Sequence, residues 1–320
     1  MVFKRMLGAF GVGAPSVDTV LSTPRVRPGG ALAGEVRLKG GEFDAGIEHV
    51  TLALVARAEA EAGDDEHTGL AVLHEIRVSG PFTLAKGEDR TIPFEAEMPW
   101  ETPLSEVQGQ PLTGMALGVR TELAIAKAVD KGDLDPIAVE PLPSQQRVME
   151  AFLQLGFAFK SADLEMGQIY GVRQELPCYQ EIEFYGPPGQ ISEAELTFVA
   201  DPVGMDIVIE ADRRSGHYGS DAIGRFRVSH DEALRMDWAA ELGNWLGGLS
   251  QHQGFGHGEG HYQDHHGHHG HHDHHHGGGG GMGGAIAAGA VGVAAGVAGG
   301  MIAAELIEEA FEGDEEEGED

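Results

Sequence analysis

The chain has 320 residues, enough for two domains of ordinary size plus extensions, because single hydrophobic cores stop growing well short of that length. Its net charge of −31, with 21 Lys and Arg against 52 Asp and Glu, excludes nucleic acid and anionic membrane surfaces as default partners, since phosphate rewards clustered cations. Cys178 is the single cysteine, which excludes an intramolecular disulfide and fits a reducing compartment, so the chain reads as cytoplasmic.

Residues 1–14 carry Lys4 and Arg5 before Met6, Leu7, Phe10 and Val12, a stretch too short for a secretory signal. Phe3, Leu7 and Phe10 stand at helical spacing, which predicts a short amphipathic lead-in that packs on the first domain or touches a membrane. A strand follows at Ser16. Pro28 and Gly29 suit the central positions of a type II turn, and Leu32, Gly34, Val36 and Leu38 then alternate with polar residues as in a half-buried strand. Further strands are expected around Val50 to Leu54, Leu70 to Val78 and Phe94 to Met98, with an acidic loop over Gly63 to Glu66. Short strands separated by Gly and Pro turns predict a β-sandwich over residues 1–129.

The stretch from Val119 to Pro143 changes the chain over from one half to the other. Leu123, Ile125 and Val129 close an apolar run, while Asp130, Asp133 and Asp135 have turn chemistry and Pro136 forbids a helix. Residues 130–143 therefore read as an interdomain hinge, with Asp130, Asp133 and Asp135 fixing how two domains face each other. EF-hand spacing is absent, so these aspartates make turns rather than a calcium loop.

Beyond the hinge, Ser144 is the expected N-cap of a helix that ends at Gly156 and presents Val148, Phe152 and Leu155 on one face. Strands are expected at 158–164, 179–185, 193–200, 205–211 and 223–228, with a tight turn at Asp201 to Gly204. A second sandwich over 144–230 results. Ser229 and Glu232 have capping-box spacing and open an amphipathic helix over 231–248, on which Leu234, Trp238, Leu242 and Trp245 share a face. That stripe either packs on the second domain or forms a partner surface centred on Trp238 and Trp245, a route to a homo-oligomer.

The remainder is a low-complexity tail. Residues 249–281 are rich in His and Gly, a composition that cannot build a core and reads as disordered. His265, His266, His268, His269, His271, His272, His274, His275 and His276 would bind Ni or Zn, adventitiously or as a regulatory input, or the segment is a spacer. No other cofactor is called for. Residues 282–304 are uncharged, and as a helix they would extend about 34 Å, a bilayer's hydrocarbon thickness. Seven of those residues are Gly, so insertion is marginal and competes with self-association. Residues 305–320 are an acidic tail.

Several of these segments resemble a known family. VRPGGALAGEVRLKGG, Val26 to Gly41, is similar to the start of arrestin-like N-terminal domains, and Lys4 to Leu21 resembles one branch of them, the bacterial sporulation-control family known as sporulation stage zero protein M. The run holding Val119, Thr121, Leu123, Ile125, Ala128, Val129, Asp130, Asp133, Asp135, Ile137 and Val139, with FYG near Phe184 and EADRR near Asp212, is similar to it as well. Ala124 stands where that pattern has a polar residue. The resemblance implies two tandem arrestin-like β-sandwich domains with short helices, an all-β chain that regulates through protein partners. Phosphate-loop, zinc-protease, nucleophile-elbow and dinucleotide motifs are absent, Cys178 reads as core and His217 as a loop histidine, so no enzyme activity is expected.

Overall fold

The computed structural model describes residues 13–62, 65–189, 191–213 and 222–251. Within them the first half is a two-layer sandwich. One layer orders β1 (Ser16–Leu21), β3 (Ala31–Lys39) and β7 (Asp89–Glu97) as an antiparallel sheet. The facing layer runs from β11 (Lys131–Pro136) through β10 (Leu117–Ile125) to the long β4 (Ala45–Ala62), with β5 (Asp65–Ser79) and β6 (Phe82–Leu84) also paired to β4. Alternation decides what goes between the layers, because successive side chains of a strand point to opposite faces. Leu32, Val36 and Leu38 of β3 are buried and share one core with Val50, Leu52, Val119 and Leu123. Arg25–Val26 (β2) pairs in parallel with Ala138–Val139 (β12), while Glu106–Val107 (β8) and Gln110–Pro111 (β9) form a small hairpin.

The expected turn at Pro28 and Gly29 is present. The Gly30 N–H donates to the Arg27 carbonyl at 2.9 Å, and Gly29 has φ of +68°. A Cβ there would also lie 2.3 Å from the Trp100 ring, so glycine is required twice over. The expected acidic loop is shorter than its composition suggests, since Asp65 and Glu66 belong to β5 and pair with Ala62 and Glu61.

The second half is an antiparallel meander of β13 (Ala158–Met166), β14 (Cys178–Tyr185), β15 (Ile191–Ala200), β16 (Gly204–Arg213) and β17 (Ala222–Ser229). The Asp201 side chain sets the β15–β16 turn by accepting the N–H groups of Val203 and Gly204. Helices, rather than strands, form the layer on its inner face among the described residues. α1 (Pro143–Gln154) lays Val148 and Phe152 there, with the Phe152 and Phe184 rings 4.9 Å apart. Ser144 is the second residue of α1 instead of its N-cap, which is Leu142; the Leu142 N–H donates to Gln145 Oε1 at 2.8 Å. Gly156 ends α1 at φ +89°, as expected.

The amphipathic helix expected over 231–248 is two helices, α2 (His230–Arg235) and α3 (Trp238–Gln251). Ser229 and Glu232 make the capping box of α2. Asp237 then opens α3, its Oδ1 accepting the Ala240 N–H at 3.1 Å.

One register joins the halves into a ten-stranded sheet: β13 runs parallel to β4 where Glu165 pairs with Glu59. The main core is likewise shared, running from Leu52 and Val119 to Phe184, Ile207 and Trp238. No helix among the described residues is long and apolar enough to cross a membrane.

Candidate functional site

The aspartates of the expected hinge are not in a hinge. β11 pairs with β10 from Gly118 opposite Pro136 to Leu123 opposite Lys131, so residues 131–136 are an edge strand of the first sandwich. Asp130 closes that hairpin by accepting the Ile125 N–H at 2.8 Å, and Asp133 reaches the other layer, accepting the Thr19 N–H at 2.7 Å. Beside them the Thr19 and Thr121 hydroxyls meet at 2.7 Å in a buried contact. Burial, and then the charges of Asp133 and Asp18, raise the Asp135 carboxyl to about 6. Local composition favours turns, but the open edge of β10 supplies a ladder that composition does not show. Asp133→Ala is therefore expected to cost about 1–3 kcal/mol by stranding the Thr19 amide. Chemical denaturation reads that loss, and a scattering profile that differs from wild type would restore the hinge assignment.

Trp238 and Trp245 are not an exposed pair. Trp238 is 2% exposed, its indole N–H donates to the Ala233 carbonyl at 2.9 Å and its ring meets Phe226 edge-on at 6.1 Å. Trp245 covers Gly224 of β17, where a Cβ would come within 2.7 Å of its ring. Packing on the second half accounts for both, and the break after Arg235 turns Leu234 out of the stripe, to 45% exposed. Cys178 is buried, and burial pushes its thiol up to about 12, as an inert core residue requires. The lead-in of residues 1–12, His217, the nine tract histidines from His265 to His276, the 282–304 segment and the acidic tail lie outside the described residues.

What the fold brings together instead is a seam between the halves. The loop after β7 crosses to the second half, where the Glu101 carboxylate accepts the N–H groups of Glu175 at 2.7 Å and Leu176 at 2.8 Å. Burial raises this carboxyl above its ordinary value, against the pull of the two amides. Next to it the Gln180 amide pairs with Leu104 in both directions, accepting its N–H at 2.9 Å and donating to its carbonyl at 2.7 Å. Trp100 stacks on His230 at 5.7 Å. The His230 ring spans two elements, with Nδ1 2.8 Å from the Ser144 hydroxyl and Nε2 2.9 Å from the Asp201 carbonyl. A carbonyl only accepts, so Nε2 carries the proton.

Above these bonds opens a cleft of about 440 Å³, lined by Trp100, Glu101, Arg173, Asp201, Val203 and Arg227 among others. Arg227 is committed to Asp201 at 2.6 Å and Asp206 at 2.7 Å. Burial alone would raise Asp201, but Arg227 and the turn amides prevail and hold it at about 2. Apolar surface continues to the hairpin tip, where Val203 is 70% exposed. The arrangement offers an aromatic and aliphatic floor with a charged rim, a shape suited to a side chain of another protein.

The outer face of the meander is the second concentration of chemistry. Register sets Asp163 of β13 opposite Glu181 of β14, and Glu183 of β14 opposite Glu195 of β15, which in turn faces Glu210 of β16. Carboxylate oxygens of Asp163, Glu165 and Glu181 lie within 4.8 Å of one another. Lys160 bridges Glu193 at 3.0 Å and Glu183 at 3.3 Å, and Ser161 donates to Glu183 as well. Burial, then the charges of Glu195, Asp163, Glu165 and Glu210, push Glu181 up to about 9. Burial, then Glu210, Glu183 and Asp163, raise Glu195 to about 7, with Lys160 opposing. The signal was present in the sequence as acids at every second position, 163 and 165, 181 and 183, 193 and 195.

Comparison with known proteins places these features in context. The family model described as SpoOM protein matches residues 3–215. The sporulation-control protein spo0M of Bacillus subtilis (strain 168) is 35% identical over 217 residues, 67% of this chain and 81% of the relative. The crystal structure of Spo0M, sporulation control protein, from Bacillus subtilis is similar with a TM-score of 0.63 at 32% identity, covering 75% of this chain and 99% of that one.

Proposed function

Because the chain belongs to the SpoOM family, whose matched relative is a sporulation-control protein, we propose that it acts in sporulation control as a non-catalytic scaffold. The extent of the match carries this reading. The family model spans residues 3–215, the first half and the second as far as β16, and stops before β17, the two helices after it and the His-rich, Gly/Ala-rich and acidic segments. A role shared with the family is therefore expected of the β halves rather than of the tail. The seam cleft supports protein binding, since Trp100 and Val203 give it apolar contact area and Arg173 and Glu175 give its rim charges of both signs. The net charge of −31 favours a protein partner over nucleic acid.

Affinity capture from cells separates this from the alternative, in which the tail is the working part through metal binding or membrane attachment. Capture runs in parallel with the full chain, a chain ending at residue 248, and the full chain carrying Trp100→Ala with Val203→Asp. The scaffold reading expects the same partners on the first two and their loss, by at least about tenfold, on the third. Partners retained only by the chain with its tail overturn it.

A further inference from the structure

A second recess lies at the far end of the first half, away from the seam. β4 starts in its wall with Ala45 and Gly46 and reaches its pairing with β13 only at Glu59, roughly 45 Å further along the strand. Four segments meet there: residues 13–15 ahead of β1, the β3–β4 connection with Phe43, Lys86 after β6, and the β10–β11 turn from Ile125 to Ala128. Hydrogen bonds fix them as walls. The Glu42 N–H donates to the Gly13 carbonyl and the Ala126 N–H to the Gly46 carbonyl, both at 2.9 Å, and Asp44 accepts the Lys86 N–H at 2.9 Å. The recess holds about 860 Å³. Phe43 in its wall is 42% exposed, and Val129, next to Ala128, is 59% exposed. Large apolar side chains on adjoining loops around a concavity mark a surface made to be covered.

The chain carries an occupant of its own. Residues 1–12 join the wall at Gly13, contain no acid, and place Phe3, Leu7 and Phe10 at helical spacing. As a helix, residues 3–10 would be about 12 Å long, a length that a recess of this volume accepts. The rim carries Glu42 and Asp44 beside Lys86 and Lys127, so charge alone selects nothing, although the two acids offer partners to Lys4 and Arg5. The tether decides. A segment joined directly to the wall is present at a millimolar effective concentration, and a second copy or another protein has to displace it. We propose that the recess is the docking site of the chain's own residues 3–10, with Phe3, Leu7 and Phe10 laid against Phe43, Ile125 and Ala128. The family model starts at residue 3 and thus takes this segment together with the halves. Seated there, the segment ties the β3–β4 and β10–β11 connections together. Released, it bares an apolar surface separate from the seam cleft.

The test uses the full chain. Hydrogen exchange is compared between wild type and Leu7→Asp with Phe10→Asp. Loss of docking should speed exchange at Glu42 and Ala126 by at least about tenfold and leave Leu104 in the seam unchanged. Proximity is read by a second set of variants, in which Leu7→Cys is combined with Phe43→Cys, with Ala128→Cys or with the distant control Val203→Cys. Mild oxidation should close a bridge within one molecule in at least one of the first two and not in the control, and Cys178 is buried and takes no part. Should the aspartate variant fail to fold, the bridges decide. The inference is overturned if exchange at Ala126 is unchanged in the folded aspartate variant, or if neither bridge closes. It is also overturned if bridges form only between molecules, which would make a second copy the occupant. Flotation of wild type with phosphatidylglycerol vesicles, lost in the aspartate variant, would overturn it as well by placing the segment on a membrane surface.

Discussion

Trp238→Ala is expected to lower the stability of the chain by about 3–5 kcal/mol, the range for emptying a buried aromatic site, and to leave its oligomeric state unchanged. The ring is the first side chain of α3 and one of the largest buried in the protein. It contacts Phe226 of β17 and holds the end of α2 through the Ala233 carbonyl, so its loss detaches both helices from the inner face of the meander at once. Ala233 itself is fully buried, and its carbonyl would lose its indole donor as well. Thermal unfolding should move down by roughly 10 °C. Light scattering supplies the counter-test, because an unchanged melting point with a changed molar mass would return Trp238 to a contact between molecules.

Gln180→Leu should cost about 2–4 kcal/mol, since a side chain of similar size removes both halves of a reciprocal bond and strands the Leu104 N–H and carbonyl. Gln180 is 8% exposed and Leu104 1%, so water does not readily replace what is lost. The effect should spread along the seam to the Glu101 bonds with Glu175 and Leu176, which share the same loop. Hydrogen exchange at Leu104, Glu175 and Leu176 should accelerate together. Faster exchange at Leu104 alone would mean that the seam bonds act independently.

Legibility in the sequence followed the range of the interactions. The Asp201 turn and the Ser229 capping box were readable because donor and acceptor lie within a few residues. Strand positions in the second half were readable for a related reason, as alternation is a local pattern. β11 was not, because Lys131 to Pro136 carries no apolar alternation and is a strand only by virtue of its pairing with β10. The split between α2 and α3 is half legible: Trp238, Leu242 and Trp245 keep helical spacing, whereas the Asp237 cap that opens α3 is a single side chain inside an apparently continuous helical pattern. The seam lay beyond reach, since Gln180 and Leu104 are 76 positions apart and each looks ordinary in its own strand or loop. The acidic ladder was spelled out in alternating residues, but its repulsion exists only once the register has set one acid against the next.

The seam has one consequence for how the chain can be rearranged. Between β12 and α1 only residues 140–142 connect the halves along the backbone, whereas the shared core, the Glu165 pairing with Glu59, and the loop holding Glu101 and Leu104 connect them through space. A chain cut there is expected to yield two fragments that associate, since either alone would expose the apolar wall that the shared core now covers, and co-purification of the two fragments checks it.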